Sequence, residues 1–129
     1  MKVLTPAAFG RAILWACAAA AAAAAISSIS VVLEADGPTK LVETWRGYGY
    51  AAFAALFAVL AHRPDTSLGV WAAVILNKIA LTVTAVVYRS EASIAGTDTV
   101  IAWDGALSVL LIIAFVLTRG RAPRVAATR

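Results

Sequence analysis

The chain alternates between four long apolar stretches and short polar turns. The stretches run from about Phe9 to Leu33, from Leu41 to Ala61, from Leu68 to Tyr88 and from Thr99 to Thr118. An α-helix of about 20 residues crosses the hydrocarbon core of a bilayer, which is about 30 Å thick, so each stretch predicts one transmembrane helix. Short connections make consecutive helices antiparallel. The pattern therefore predicts an all-α, polytopic membrane protein whose single domain is an up-down bundle of four transmembrane helices.

Turn-forming residues and the composition agree with this layout. Helix-breaking residues occur at Asp36–Pro38, at Arg63–Asp65 and between Glu91 and Asp98. Hydrophobic residues make up 62% of the chain and charged residues 14%, against about 45–50% and 25% in soluble domains. The mean hydropathy is +0.86. These values exclude an ordinary soluble globular protein.

The basic residues cluster at one side of the predicted membrane. That side carries the N-terminus, the second loop and the tail 119–129, with Lys2, Arg11, Arg63, Arg119, Arg121, Arg124 and Arg129. The opposite loops are rich in acidic residues. The positive-inside rule therefore predicts a cell-membrane protein with both termini in the cytoplasm. The same distribution explains the net charge of +4 without nucleic-acid binding.

The first apolar stretch has a second interpretation, as a cleaved signal peptide. Lys2 and Arg11 resemble the charged start of such a peptide, and the alanine run that follows offers small residues for cleavage. The stretch is longer than the usual apolar region of about 7–15 residues, which favours a retained transmembrane helix.

Lys78 lies in the middle of the third apolar stretch, beside Asn77. Placing an ammonium group at the centre of a membrane helix costs about 2.5–3.5 kcal/mol, so such a lysine usually has a partner inside the protein. With a rise of about 1.5 Å per residue, Lys78 and Asp104 differ in predicted height by about 7 Å. The lysine stem can cover much of that gap. Asp104 is therefore the predicted partner, with Ser108 one turn away on the same face.

Further polar and aromatic side chains are predicted to share the outer half of the bundle. Glu43, Arg46 and Tyr50 follow helical spacing and so share one face. The candidate acid–base residues are Asp104, Lys78, Glu43 and Arg46, and the candidate ligand-binding residues are Asn77, Tyr50, Trp71, Ser108 and Trp103. The alternative is a structural role, in which the ion pairs fix helix register and Trp103 lies at the membrane interface.

No metal or cofactor site is predicted. The chain has one histidine, His62, and one cysteine, Cys17. No Cys, His or carboxylate lies at ligand spacing from His62, and a lone cysteine can form neither an intrachain disulfide nor a Cys-x-x-Cys pair.

One segment resembles a known family. Residues 43–50 read ETWRGYGY: an acid, an arginine and then glycines with aromatic residues. This segment resembles the opening of the second helix in small four-helix DoxX-like membrane proteins, and the four-span layout is similar to theirs as well. The resemblance implies a left-handed four-helix bundle with a polar pocket that opens to the outer leaflet, in a superfamily that includes subunits of redox complexes.

Three functional classes fit these features. In the first, the outer pocket binds a lipophilic small molecule such as a quinone, terpenoid or lipid, and Asp104 or Glu43 acts as acid or base with Lys78 and Arg46 beside it. In the second, the chain is a non-catalytic accessory subunit of a larger membrane complex. In the third, it is a proton-coupled small-molecule transporter that works as a dimer, the simplest homo-oligomer, because four helices leave little room for alternating access without dimerisation. Membrane lipids are expected partners in all three classes.

Overall fold

The computed structural model describes residues 5–66 and 68–119. These residues form four helices joined by turns: α1 (Pro6–Glu34), α2 (Gly37–His62), α3 (Leu68–Tyr88) and α4 (Thr97–Arg119). The predicted all-helical fold is confirmed. Lys2 and residues 120–129 of the predicted basic tail lie outside the described residues.

The local sequence explains where the helices begin. The Thr5 side chain accepts a hydrogen bond from the backbone N–H of Ala8 at 3.2 Å and so caps α1. α2 begins at Gly37, within the segment predicted as a turn, because Pro38 fits the first helical turn, where its missing N–H leaves no hydrogen bond unmade. Gly96 has a φ of +83° just before α4, a conformation that favours glycine.

Three of the four helices, α1, α3 and α4, are long and apolar enough to cross a membrane. α2 is less apolar because its first half carries Lys40, Glu43 and Arg46. Large apolar side chains cover much of the molecular surface, and Leu41 and Trp45 are 79% and 78% exposed. A surface of this kind is stable in lipid rather than in water. The structure therefore indicates a membrane protein.

The helices pack unevenly around the bundle. α1 packs along both α2 and α4, and α3 packs along α4, whereas α2 and α3 touch over only a short stretch. We call this weakly packed boundary the α2–α3 seam. The bundle is therefore closely packed on three sides and least closely packed on the fourth.

The apolar core lies at the end of the bundle where α1 and α3 begin and where α2 and α4 end. We call this end the packed half, and its buried side chains include Leu14, Cys17, Phe57, Leu60, Trp71, Val74, Leu111 and Ala114. The opposite end, the sparse half, has small buried residues, Ser28 and Ala85, among those that the structure describes. Lys78 and Ser108 are buried at the boundary between the halves.

Candidate functional site

Lys78 and Asp104 form an ion pair at the boundary between the packed half and the sparse half. Nζ of Lys78 donates to Oδ1 of Asp104 at 2.7 Å. The two side chains are 7% and 15% exposed. Since water screens a buried pair weakly, the attraction between these charges is much stronger than it would be on a solvated surface.

Helical periodicity brings these two side chains together. The buried positions of α3 include Trp71, Val74 and Lys78, at spacings of three and four residues. On α4 Asp104 lies one turn before the buried Ser108, on the same side of the helix. Because α3 and α4 pack along each other, the two stripes face one another and the charges meet.

Phe53 of α2 completes the surroundings of the ammonium group. Nζ of Lys78 lies 4.1 Å from the centroid of the Phe53 ring. A cation over an aromatic ring gains about 0.5–2 kcal/mol, more when water is excluded. Phe53 was not among the predicted site residues, although extending the stripe of Glu43, Arg46 and Tyr50 by three residues reaches it.

Two hydroxyl groups near the pair bind backbone rather than charged atoms. Oγ1 of Thr82 donates to the carbonyl of Lys78 at 2.8 Å, and Oγ of Ser108 donates to the carbonyl of Asp104 at 2.7 Å. Both are one-turn bonds within a helix. Ser108 is therefore buried next to the site, as its position on α4 suggested, but its hydroxyl does not bind the Asp104 carboxylate.

Glu43 and Arg46 form a second, separate pair. Nη1 of Arg46 donates to both carboxylate oxygens of Glu43 at 2.9 Å. Glu43 lies ten residues before Phe53 on α2, a helical rise of about 15 Å. The four charged residues were predicted to share one pocket, but they form two pairs at different heights. The side chain of Arg46 is 54% exposed, so Arg46 lies near the surface.

The remaining predicted ligand-binding residues are spread over several faces. Tyr50 is half-buried on the same face of α2 as Phe53. Trp71 is buried in the packed half, where Nε1 donates to the carbonyl of Pro64 at 3.1 Å. Asn77 is exposed and Trp103 is 63% exposed, so neither faces the ion pair inside the bundle. Each is adjacent in sequence to a pair residue, and successive helical residues project about 100° apart.

Two surface grooves flank α1. One, of about 280 Å³, lies between α1 and α4 and is lined in part by Cys17 and Trp103. The other, of about 300 Å³, lies between α1 and α2 and is lined in part by Ser28 and Tyr48. Their walls are almost wholly apolar and include neither residue of the buried ion pair. The buried ion pair therefore lies outside both grooves.

Within residues 5–66 and 68–119, no group of three or more His, Cys, Asp or Glu side chains is placed to hold a metal ion. No protein family, curated protein or solved structure matches the chain. The buried ion pair and the packing around it are therefore the features of the molecule that bear on its function.

Proposed function

We propose that this chain is an integral protein of the cell membrane, with four transmembrane helices in up-down order and both termini in the cytoplasm. α2 is the proposed fourth span because its 26 residues rise about 39 Å, more than the hydrocarbon core of about 30 Å. It also packs extensively along α1, which is apolar enough to cross the membrane. Glu43 and Arg46 then lie near the outer interface, where charged groups keep their hydration.

Exposed aromatic side chains support this placement in the bilayer. Trp45 projects from the first half of α2, and Tyr88 ends α3. Tryptophan and tyrosine favour the membrane–water interface. Tyr88 lies ten residues beyond Lys78, a rise of about 15 Å or half the hydrocarbon thickness. The proposed placement therefore brings Lys78 close to the bilayer midplane.

Within this arrangement, the proposed function is to bind a lipophilic small molecule, such as a quinone, terpenoid or lipid, through its polar head group. The observation that carries this proposal is the Lys78–Asp104 pair, at 2.7 Å and buried. Replacing such a pair by apolar residues is often neutral or stabilising, so stability alone is a weak reason to keep one. Ionisable side chains inside a membrane more often serve a ligand or proton pathway.

The packing provides a route to the pair from the bilayer. Three sides of the bundle are closed by extensive helix contacts, and the α2–α3 seam is not. Phe53 is half-buried and lies directly against the ammonium group. A lipophile dissolved in the membrane would pass between α2 and α3 and displace the Phe53 ring. The resemblance of residues 43–50 to DoxX-like proteins also favours a polar pocket that opens to the outer leaflet.

A lipid-extract experiment tests this proposal. Wild-type protein and the double variant Lys78→Met with Asp104→Leu are incubated with total membrane lipid, purified again and analysed by mass spectrometry for bound lipophiles. We expect a lipophile that copurifies with the wild type and is lost from the folded double variant. Lys40→Met, the same substitution at an exposed lysine, should retain it. Identical bound lipids in all three proteins would contradict the proposal and leave a structural role for the pair.

A further inference from the structure

The charges near the proposed binding site cancel in pairs. Lys78 pairs with Asp104 and, further out, Glu43 pairs with Arg46. Among the residues that the structure describes, no buried side-chain nitrogen or oxygen lacks a hydrogen-bond partner. A ligand with a charged head group would therefore add a net charge to a low-dielectric interior, at a large desolvation cost, or would have to break the ion pair.

The pair nevertheless retains hydrogen-bonding capacity on both sides. An ammonium group has three N–H donors, and Nζ of Lys78 uses one of them, toward Oδ1 of Asp104. Oδ2 of Asp104 accepts no hydrogen bond from the described residues. Because both side chains retain some exposure, a donor and an acceptor remain available next to each other.

A hydroxyl group matches this arrangement because it donates one hydrogen bond and accepts others. We infer that the ligand of this site is a neutral, hydroxyl-bearing lipophile, whose O–H donates to Oδ2 of Asp104 while its oxygen accepts from Lys78. This inference rests on the proposed function and adds the chemical class of the head group. Anionic and cationic lipophiles are disfavoured because the pair is already neutral.

Partial exposure of Phe53 is consistent with such an exchange. The ring occupies one side of the ammonium group and belongs to the helix that borders the α2–α3 seam. A hydroxyl that reaches Nζ exchanges a cation–π contact for a charge-assisted hydrogen bond. Entry of the head group therefore does not leave the ammonium group without a partner.

The test uses four probes with the same twelve-carbon chain: dodecanol, dodecyl methyl ether, dodecanesulfonate and dodecyltrimethylammonium. The ether accepts hydrogen bonds but cannot donate one, and the two ionic probes keep fixed charges at any ordinary pH. Binding to the full-length protein in phosphatidylcholine nanodiscs is measured against the Lys78→Met with Asp104→Leu variant in the same discs, so that partitioning into lipid cancels. Lys40→Met is the matched single-lysine control, and helix content verifies that each variant is folded.

We expect the wild type to bind dodecanol about tenfold more tightly than the double variant does, and to show no such excess for the ether or the ionic probes. The inferred head group would be overturned if an ionic probe showed a larger wild-type excess than dodecanol, or if the ether showed the same excess as dodecanol. Either result would still leave a lipophile site in place. If no probe distinguishes the wild type from the double variant, and the lipid-extract experiment finds no bound lipophile, both this inference and the proposed function fail.

Discussion

The ammonium group of Lys78 has two stabilising contacts, the carboxylate of Asp104 at 2.7 Å and the ring of Phe53 at 4.1 Å. Removing the lysine charge would leave Asp104 buried with no cation among the described residues to compensate it. An uncompensated buried charge is far more costly than an absent pair, because the charged group has lost its hydration and gained nothing in return.

Lys78→Met is therefore expected to destabilise the protein by about 3–5 kcal/mol. The double variant, Lys78→Met with Asp104→Leu, should recover most of that lost stability or exceed the stability of the wild type. Reversible unfolding in mixed micelles measures both free energies. Lys40→Met replaces an exposed lysine and should change stability by no more than about 0.5 kcal/mol. A double variant as unstable as the single variant would show that the pair contributes more than mutual neutralisation.

The similar heights of Lys78 and Asp104 could be predicted from the sequence because depth in a membrane helix follows directly from residue number. The direction in which Asn77 and Trp103 face could not be predicted in this way, because depth does not specify direction: each lies beside a pair residue in sequence yet projects about 100° away from it. Phe53 was missed for a different reason. An apolar ring carries no charge to mark it, and only the distance to Nζ identifies its contact with the ammonium group.

At the scale of helices, the close approach of α1 to α4 depends on Gly10. A Cβ atom at this position would lie 2.8 Å from Cγ2 of Thr118 and 3.2 Å from the carbonyl oxygen of Ala114. One of these atoms belongs to the backbone, which cannot rotate away. Small residues at such crossings let helices pack closely where lipid provides no hydrophobic driving force.

Gly10→Ala should consequently destabilise the bundle by about 1–3 kcal/mol, because α1 and α4 must separate to accept the methyl group. Gly49→Ala is the matched control, since nothing lies within 4 Å of a Cβ there. That change should be neutral or stabilise the protein by up to about 1 kcal/mol, as alanine is the better helix former. Unfolding free energies in micelles test both. Equal effects at the two positions would contradict the close packing of α1 and α4.

Hydropathy predicts where the helices lie along the chain, but it does not predict which helices pack against each other. Short connections predict that α2 and α3 are adjacent, yet they touch over only a short stretch while α1 packs along α4 from the other end of the chain. Contact between helices depends on the fit of side chains across the interface, which periodicity does not encode. α2 begins at Gly37, before the predicted Leu41, because Pro38 suits a first helical turn as well as a break between helices.

At the scale of the whole molecule, the four helices put the connecting turns at two ends of the bundle. The turn between α1 and α2 and the loop between α3 and α4 lie at the end that belongs to the sparse half, and the turn between α2 and α3 lies at the packed half. In the proposed topology, which follows the positive-inside rule, the packed half lies on the cytoplasmic side. Any lipophile that enters near the sparse half would then come from the outer leaflet.

Cysteine labelling tests this topology with Asp36→Cys, Asp65→Cys and Ala92→Cys, one exposed position in each connection. The native Cys17 is buried and 2% exposed, so it can remain as an unlabelled background. A membrane-impermeant maleimide should label Asp36→Cys and Ala92→Cys in intact cells, and Asp65→Cys only after permeabilisation. Labelling of Asp65→Cys alone would invert the topology. Labelling of Asp36→Cys together with Asp65→Cys would show that α2 does not cross the membrane, and Lys78 would then lie in a bundle of three spans.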